Sequence, residues 1–247
     1  MTVQLPLSKS IVQRLLMLAH ITGTTPPDLS QEGEMQQDVH IMQTLIADFE
    51  KGSKKFDACD NGTAARFMLA RLAATKDRQS RLDGFPQLRK RPMAQLIGAL
   101  REVGAEIKCT KKEGFLPMQI VGHNLTGTIK LNSVISSQFV SAIRLIQLLP
   151  NVNIELQTDC HSPYLKMTEF LVEQTSHSDS GLTSNSDSGL TSNSDSGLTV
   201  QRSNLSQQSS LTEYDWSAAA FWYEYLSLHP NRHPEGLLLK GLTVKSI

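Results

Sequence analysis

The sequence predicts a layered α/β or α+β fold, because segments with the apolar spacing of helices alternate with short segments typical of strands. Its 247 residues, 39% of them hydrophobic and 19% charged, are enough to bury a sizeable core in one or two domains. Neither GxGxxG nor GxxxxGK[ST] occurs, so the common glycine-rich loops that bind nucleotide phosphates are not supported. Any phosphate would have to be held in another way.

Apolar residues at helical spacing predict a helix in each of several segments. The first follows Ser10, which forms a Ser-x-x-Gln capping box with Gln13. The fourth begins at Pro92, whose missing N–H is harmless in a first turn, and ends at Gly104. In chain order the predicted helices span residues 11–19, 39–49, 63–73, 92–104, 136–149 and 163–171, and Asp215 would cap a last one.

Strands are predicted between these helices, where short apolar or alternating segments occur. Val152, Ile154 and Leu156, for example, alternate with polar residues. The predicted strands span residues 115–121, 128–131, 152–156 and 237–244. The alternation of helices and strands along most of the chain is the basis of the predicted fold class.

Residues 176–199 form three consecutive octets, SHSDSGLT followed by two copies of SNSDSGLT. One leucine in each octet buries too little apolar surface to offset the entropy lost on ordering, so we expect a flexible insertion rather than a solenoid. A Ca²⁺-binding β-roll also uses repeated Asp and Gly, but the nonapeptide rhythm of that fold is absent.

The chain carries 24 basic and 24 acidic side chains, so its formal net charge at pH 7 is zero. Binding to bulk nucleic acid or to an anionic membrane needs a broad excess of Lys and Arg, so we expect neither partner. No apolar run approaches the roughly eighteen residues of a bilayer-spanning helix. No signal-peptide cleavage pattern occurs near the start, which predicts a cytoplasmic protein.

Cys59, Cys109 and Cys160 form no CxxC pair, so neither a disulfide framework nor a zinc site is expected.

Groups that suit an anion recur at predicted helix starts, where unpaired N–H groups and the positive end of the helix dipole already favour negative charge. Ser10 and Arg14 are four residues apart and share a helix face, so they could grip one carboxylate or phosphate together. Between residues 51 and 91 there are eleven Lys and Arg against four Asp, and we expect this excess to surround an anion site. Each feature alone is also typical of an ordinary cap, turn or solvated charge run. The helix starts concerned contain residues 8–10, 61–63, 89–91 and 136–138.

Six sequence blocks resemble, in the same order, motifs of the EPSP synthase family of 3-phosphoshikimate 1-carboxyvinyltransferases. LPLSKSIVQRLLMLA (residues 5–19) is similar to the family's LPGSKS start, and DNGTAARFMLARLA (60–73) to its N-x-G-T-x-x-R segment. GFPQLRKRPMAQLIGALREVGAEI (84–107) resembles its R-x-x-x-RP helix motif. NSVISSQFVSAI (132–143) resembles its S-x-SSQ motif, and HSPYLKMTEFL (161–171) its S-x-PY segment. YDWSAAAFWYEYL (214–226) resembles its aspartate-led helix.

The resemblance implies a fold of two lobes, each built from βαβαββ units, that close on ligand between them. It implies transfer of the enolpyruvyl group of phosphoenolpyruvate to the 5-hydroxyl of shikimate 3-phosphate, with release of inorganic phosphate, in aromatic amino-acid biosynthesis. It implies no metal and no organic cofactor, and we expect a monomer. The chain would comprise a first lobe (residues 1–175), the repeat insertion with a linker (176–210) and the beginning of the second lobe (211–247).

The same motifs imply roles for individual side chains. Lys9 would be catalytic and would contact both substrates. Ser10 and Arg14 would hold the carboxylate of shikimate 3-phosphate. The phosphate of shikimate 3-phosphate would be bound by Ser136, Ser137, Gln138 and His161. Phosphoenolpyruvate would be bound by Gly62, Arg91 and Gln138, with Thr63 and Arg66 in support.

Four positions depart from the family's pattern near these residues. Asp60 stands where the family has an asparagine, and it either adds a negative charge or serves as an ion-pair partner. Gln87 replaces the first arginine of the arginine pair, His161 replaces a phosphate-binding serine, and Leu7 replaces the glycine of LPGSKS.

Other functions remain open at this point. We expect the family's proton-accepting aspartate, its lysine-glutamate pair and its later arginines to fall beyond Ile247. One alternative is therefore a catalytically inactive lobe that only binds shikimate 3-phosphate. A relative of the UDP-N-acetylglucosamine enolpyruvyltransferases and a non-enzymatic interaction protein built around the serine-rich repeat are two more.

Overall fold

The computed structural model describes residues 2–4, 7–29, 37–131, 136–177 and 238–240. The predictions for the repeat beyond residue 177 and for the helix capped by Asp215 lie outside these ranges. The helices of the described part are α1 (Lys9–Thr22), α2 (Gln37–Glu50), α3 (Gly62–Ala73), α4 (Ala94–Glu102), α5 (Ser137–Ile146) and α6 (Pro163–His177). The strands are β1 (Thr2–Gln4), β2 (Lys55–Asp57), β3 (Gln79–Asp83), β4 (Glu106–Cys109), β5 (Met118–Val121), β6 (Leu125–Leu131), β7 (Val152–Thr158) and β8 (Leu238–Lys240).

Residues 55–121 fold as one complete βαβαββ unit, β2-α3-β3-α4-β4-β5. Its four strands lie in the order β2-β3-β5-β4, with β2 parallel to β3 and with β5 antiparallel to both β3 and β4. Parallel neighbours need a crossover connection, which α3 supplies between β2 and β3. The elements β6-α5-β7-α6 repeat the first four steps of this order, and β6 is parallel to β7. The predicted α/β class is confirmed, and the described residues show the βαβαββ order.

Helices α1 and α3 form the centre of the core. Every residue from Ile11 to Ala19 in α1 is buried, and in α3 only Thr63 and Arg71 are not. Such helices, surrounded on all sides, belong to the interior of a domain. Helix α3 packs against α1, α2, α4 and α5 and against strands β3 and β5, so the helices form the inner layer. The opposite face of the four-stranded sheet is exposed and carries Lys55, Arg81, Lys108 and Gln119. Within the described residues we find no candidate for a bilayer-spanning helix.

Strands β2, β3 and β4 were not predicted from the sequence, because few of their residues are apolar and buried. In β2 only Phe56 is buried, and in β4 only Ile107. In β3 the buried residues are Ser80 and Leu82. The outward residues are charged or polar, so neither a clear alternation nor an apolar run marks these short segments. Of the predicted strand at residues 237–244, the described part contains β8, which pairs in parallel with β1.

Two predicted helix starts are wrong. Helix α1 begins at Lys9, with Ser8 as the N-cap in an extended conformation, so Ser10 lies inside the helix and forms no capping box. The side-chain oxygen of Gln13 instead accepts a hydrogen bond from Asn61. Helix α4 begins at Ala94 rather than Pro92, because the backbone of Met93, its N-cap, is not helical (φ −132°, ψ 11°). The N–H of Met93 donates instead to the carbonyl oxygen of Gly114 at 2.8 Å.

A cluster of charged and aromatic side chains covers the C-terminal ends of α1, α2 and α3. The guanidinium groups of Arg71 and Arg78 lie 4.4 and 4.0 Å from the ring centroid of Phe49. His20 packs edge-on against the same ring, with its side chain 6% exposed. Its Nε2 accepts from Nε of Arg71 at 3.3 Å, and its Nδ1 lies 3.3 Å from Oε1 of Glu50. Because Nε2 accepts a hydrogen bond, the ring is neutral, and the contact with Glu50 then places its proton on Nδ1.

We predict that the protein loses stability when the pH falls through the range in which the unfolded histidine takes up a proton. Burial, together with Arg71 and Arg78, lowers the pKa of His20 although Glu50 opposes this effect. The unfolded chain therefore binds a proton at about pH 6.5, whereas the folded chain does so only at lower pH, and unfolding becomes more favourable between these values. Urea unfolding at a series of pH values measures this loss. The variant His20→Gln, which does not titrate, should lose less stability over the same range, and an equal loss would show that His20 is not its source.

Candidate functional site

The buried guanidinium of Arg14 connects four helices near their N-terminal ends. In α6, Thr168 Oγ1 accepts from Nε of Arg14 at 2.7 Å, and in α5, Ser141 Oγ accepts from Nη2 at 3.4 Å. In α3, the ring of Phe67 lies 5.5 Å from the guanidinium carbon. Each contact residue, like Arg14 itself, lies within the first six residues of its helix. The N-terminal ends of α1, α3, α5 and α6 are therefore on the same side of the helix layer.

A second set of contacts, beyond Arg14, joins the helix starts directly. Nε2 of Gln138, in the first turn of α5, donates to Thr63 Oγ1 in the first turn of α3 at 3.2 Å. The side chain of Asn61, the N-cap of α3, accepts from the N–H of Ala64 and donates to the backbone oxygen of Asp38 in α2. The start of α2 therefore lies on the same side of the helix layer as the starts of α1, α3, α5 and α6. The positive dipole ends of these five helices lie together, and such an arrangement favours an anion.

Two guanidinium groups meet at Gly62, the first residue of α3. A Cβ atom at this position would lie 2.5 Å from Nη1 of Arg66 and 2.8 Å from Nη1 of Arg91. Glycine is therefore the residue that leaves room for both cations. Nη1 of Arg66 donates to the backbone oxygen of Gly62 at 2.6 Å, whereas the Arg91 guanidinium has no hydrogen bond or ion pair with any described residue. The geometry thus places two positive charges together at the start of a helix.

Arg66 is itself buried, with only 8% of its surface exposed, and its Nε atom has no hydrogen-bond partner among the described residues. Burial and the neighbouring charge of Arg91 lower its pKa to about 10. The group is still charged at neutral pH. Its guanidinium carbon lies 5.4 Å from the ring centroid of Phe139 in α5, which supports it from one side. A buried cation with an unpartnered donor beside a second cation is an arrangement that favours binding of an anion.

Arg14 resembles Arg66 in its electrostatics. It is 1% exposed, and burial lowers its pKa to about 10, an effect that Tyr164 partly opposes. Its hydrogen-bond acceptors are the hydroxyls of Thr168 and Ser141 and the backbone oxygen of Ser10, all of them neutral. In the described part of the chain no carboxylate neutralises it. Its contact with Ser10, four residues before it in α1, is to the backbone oxygen rather than to the hydroxyl.

Among the described residues, Lys9 Nζ forms an ion pair with Asp38 Oδ2 at 2.8 Å. Half of the Lys9 side chain remains exposed. Because Lys9 is the first residue of α1 and Asp38 the second of α2, the pair lies at the end of the layer where the helix starts meet. The carboxylate of Asp38 therefore holds the lysine beside the candidate anion site.

The remaining predicted residues also lie at helix starts. Ser136 is the exposed N-cap of α5, its side chain makes no capping hydrogen bond, and Ser137 follows as the first helical residue. His161 is exposed and lies two residues before α6. Asp60 and Gln87, the two departures in the described loops, are exposed as well. Asp60 forms no ion pair with a described residue, so the interpretation of it as an ion-pair partner is not supported.

The local excess of basic residues between positions 51 and 91 does not surround one site, so this expectation is wrong in part. The members near the start of α3 are Arg66, Arg89, Lys90 and Arg91. Lys51 and Lys54 follow the end of α2, and Lys55 and Arg81 belong to β2 and β3. Arg71, Lys76 and Arg78 lie at or after the end of α3. Most of the excess is therefore away from the helix starts.

The sequence did not single out the neutral residues that hold Arg14, nor Asp38. A usable signal exists for two of them. Ser141 follows Ser137 by four residues in α5, and Thr168 follows Tyr164 by four residues in α6, so each hydroxyl shares a helix face with a residue of a recognised motif. For Asp38 the sequence carries no such signal, because its contact with Lys9 spans 29 residues.

Comparison with known proteins connects this arrangement to one family. The family model described as EPSP synthase (3-phosphoshikimate 1-carboxyvinyltransferase) matches residues 1–178. Two 3-phosphoshikimate 1-carboxyvinyltransferases from strains of Bacteroides fragilis are each 32% identical, over 93% and 95% of this chain and over 53% and 54% of their own lengths. The solved EPSP synthase from Acinetobacter baumannii has a TM-score of 0.53 at 21% identity, covering 68% of this chain and 42% of that chain. This chain spans about half the length of the curated relatives that cover nearly all of it.

We predict that Thr168→Val destabilises the protein by about 1–3 kcal/mol, because the buried guanidinium of Arg14 loses its shortest side-chain acceptor while valine keeps the volume. Thr168→Ser keeps the hydroxyl and is the matched control, so its loss should be smaller. Urea unfolding of the two variants gives both values. Equal losses would show that methyl packing, and not the bond to Arg14, accounts for the effect.

Proposed function

Because the chain belongs to the EPSP synthase family, we propose that it binds shikimate 3-phosphate and phosphoenolpyruvate for transfer of the enolpyruvyl group between them. In this reaction the 5-hydroxyl oxygen forms a bond to C2 of phosphoenolpyruvate, the C2–O bond to the phosphate breaks, and inorganic phosphate and the hydroxyl proton leave. The matching family favours shikimate 3-phosphate over a UDP-sugar as the acceptor.

The observation that carries this proposal is the pair of guanidinium groups at Gly62. Phosphoenolpyruvate carries a phosphate and a carboxylate, so its binding needs several cations or N–H donors within reach of one another. Arg91 is exposed and has no acidic partner in the described residues, and the buried Arg66 stands behind it. Gln138, already at the start of α3 through its bond to Thr63, adds an amide. An anion at this point would relieve the repulsion between the two arginines.

Shikimate 3-phosphate has its own set of groups at the neighbouring helix starts. Its phosphate suits the start of α5, where the hydroxyls of Ser136 and Ser137 add to the N–H groups of the first helical turn, and His161 lies just before α6. Its carboxylate suits Ser10 and the buried charge of Arg14. Two anionic molecules would thus be held side by side, which is what a reaction between them requires.

Lys9 lies between the two proposed substrates in our assignment and is the proposed catalytic residue. Its ion pair with Asp38 keeps the ammonium group at the helix starts, and half of its side chain is exposed to an incoming ligand. An ammonium group carries three N–H donors, so its bond to Asp38 does not by itself exclude donation to a substrate. This geometry fits a lysine that contacts both substrates.

Binding without turnover is the second candidate function. The chain spans about half the length of the relatives that cover most of it. The cations at the proposed site would hold anions, whereas the carboxylate that contacts Lys9, that of Asp38, is engaged in an ion pair with this lysine. In this alternative the chain holds shikimate 3-phosphate without transferring the enolpyruvyl group.

Calorimetry and a phosphate-release assay separate these possibilities. We expect shikimate 3-phosphate to bind the 247-residue chain, and the double variant Lys9→Ala, Arg91→Ala to lose binding of phosphoenolpyruvate. Phosphate release that depends on both substrates would establish the transfer reaction, whereas binding without release would establish the second candidate. If neither substrate binds, the proposed function is wrong.

We also predict that Gly62→Ala weakens binding of phosphoenolpyruvate by about tenfold, because the new methyl group displaces the Nη1 atoms of Arg66 and Arg91. Both contacts are the ends of flexible side chains, so the free energy of unfolding should change by no more than about 1 kcal/mol. Gly98→Ala is the matched control, since a Cβ atom there meets no atom within 4 Å. An unchanged affinity in Gly62→Ala would argue against the proposed site.

A further inference from the structure

The loop of residues 84–91, between β3 and α4, carries Arg91 to its position at Gly62. The N–H of Phe85 donates to the backbone oxygen of Cys59 at 2.6 Å, which fixes the loop to the segment before α3. Residues 88–90 form a short 3-10 helix, and the N–H of Arg91 donates to Leu88 at its end. Leu88 is fully buried. The loop is therefore a defined support for the Arg91 side chain.

Gly84 shows how closely the loop is seated. A Cβ atom at this position would lie 2.6 Å from Cδ2 of Leu88 and 2.8 Å from the backbone oxygen of Cys59. The backbone of the segment before α3 thus contacts the first loop residue directly, without a side chain between them. A small movement of the loop start would move Arg91 relative to Gly62.

Asp83, the last residue of β3, binds the first residue of this loop and Arg89, which lies two residues before the loop ends. Its Oδ1 accepts from the N–H of Gly84 and from Nε of Arg89, both at 2.8 Å, and its Oδ2 accepts from Nη2 of Arg89 at 2.9 Å. Arg81 donates to the same Oδ2 at 3.3 Å. The pair with Arg89 is bidentate, which fixes the orientation of both side chains as well as their distance. Asp83 is 18% exposed on its side chain, so solvent screens this contact only in part.

We propose that Asp83 is a positioning residue for Arg91, because its bidentate bond to Arg89 holds the loop of residues 84–91 in the conformation that places the Arg91 guanidinium at Gly62. The inference rests on the proposed function, since it assigns to Asp83 an indirect part in binding phosphoenolpyruvate. Asp83 itself contacts neither Gly62 nor Arg91 in the structure. Its side chain acts through the loop.

The sign of one mutational effect distinguishes positioning from simple electrostatics. A carboxylate near an anion site repels the anion, so on charge alone its removal should strengthen binding. If Asp83 positions Arg91, its removal should weaken binding instead. Asp57 provides the matched control, because it is the register partner of Asp83 on the adjacent strand β2 and carries the same charge. Its carboxylate accepts from the N–H of Cys59 and has no hydrogen bond to the loop.

The test compares Asp83→Asn, Asp57→Asn and Arg89→Lys with the unchanged chain, with phosphoenolpyruvate as the titrated ligand. We expect Asp83→Asn and Arg89→Lys to lose about tenfold in affinity, because both lose the bidentate pair although only Asp83→Asn changes the net charge. Asp57→Asn should bind as well as the unchanged chain or better. Affinity for shikimate 3-phosphate should stay the same in every variant. Unchanged or tighter binding of phosphoenolpyruvate by Asp83→Asn overturns the proposal.

Amide hydrogen exchange provides a readout that does not depend on any substrate. In Asp83→Asn the amides of Phe85, Arg89 and Arg91 should exchange about tenfold faster, while those of α5 keep their rates. Unchanged rates in the loop overturn the proposal whether or not the chain binds phosphoenolpyruvate. A chain that binds neither substrate but shows faster loop exchange in this variant would refute the proposed function and leave the anchoring of the loop by Asp83 supported.

Discussion

The buried guanidinium of Arg14 is the contact on which the arrangement of the helices depends. A charged group removed from water must keep its acceptors, since an unsatisfied buried donor is costly. The acceptors here come from α1, α5 and α6, and the ring of Phe67 adds a face of α3. None of these helices can slide along its axis without breaking a contact to Arg14. The common direction of the helix starts, and with it the candidate site, follows from this one side chain.

The two ends of the helix layer use cations in opposite ways. At the C-terminal ends, Arg71 and Arg78 lie on Phe49, where positive charge complements the negative end of the helix dipole. At the N-terminal ends, Arg66 and Arg91 add positive charge to a positive dipole end, which is unfavourable unless an anion is present. The first arrangement contributes to the stability of the fold. The second arrangement supports the proposed anion-binding site.

The sequence predicts the helices of this fold well and its short strands poorly, for a physical reason. Long segments such as α2 and α5 show their buried faces as a helical period, whereas β2 contributes a single buried residue, Phe56, to the core. Motifs at helix starts could be read locally, so Gly62 and its neighbours were recognised. The partners that span many residues could not, because the contact between Arg14 and Thr168 joins positions 154 residues apart. Loop anchors such as Asp83 have no sequence pattern at all.

Charge and proton transfer are separate requirements of the proposed reaction, and the described part of the chain meets the first. Arg14 and Arg66 keep their charges at neutral pH, because even with burial their pKa values fall only to about 10. Such groups gather anions and hold them in contact, but they neither accept nor release a proton near pH 7. Lys9 is held by Asp38, and the hydroxyls of Ser136 and Ser137 are neutral donors. The described residues therefore supply the positive charge that the proposed binding of two anionic substrates needs, and removal of the hydroxyl proton in the proposed reaction requires a group of different chemistry from these cations.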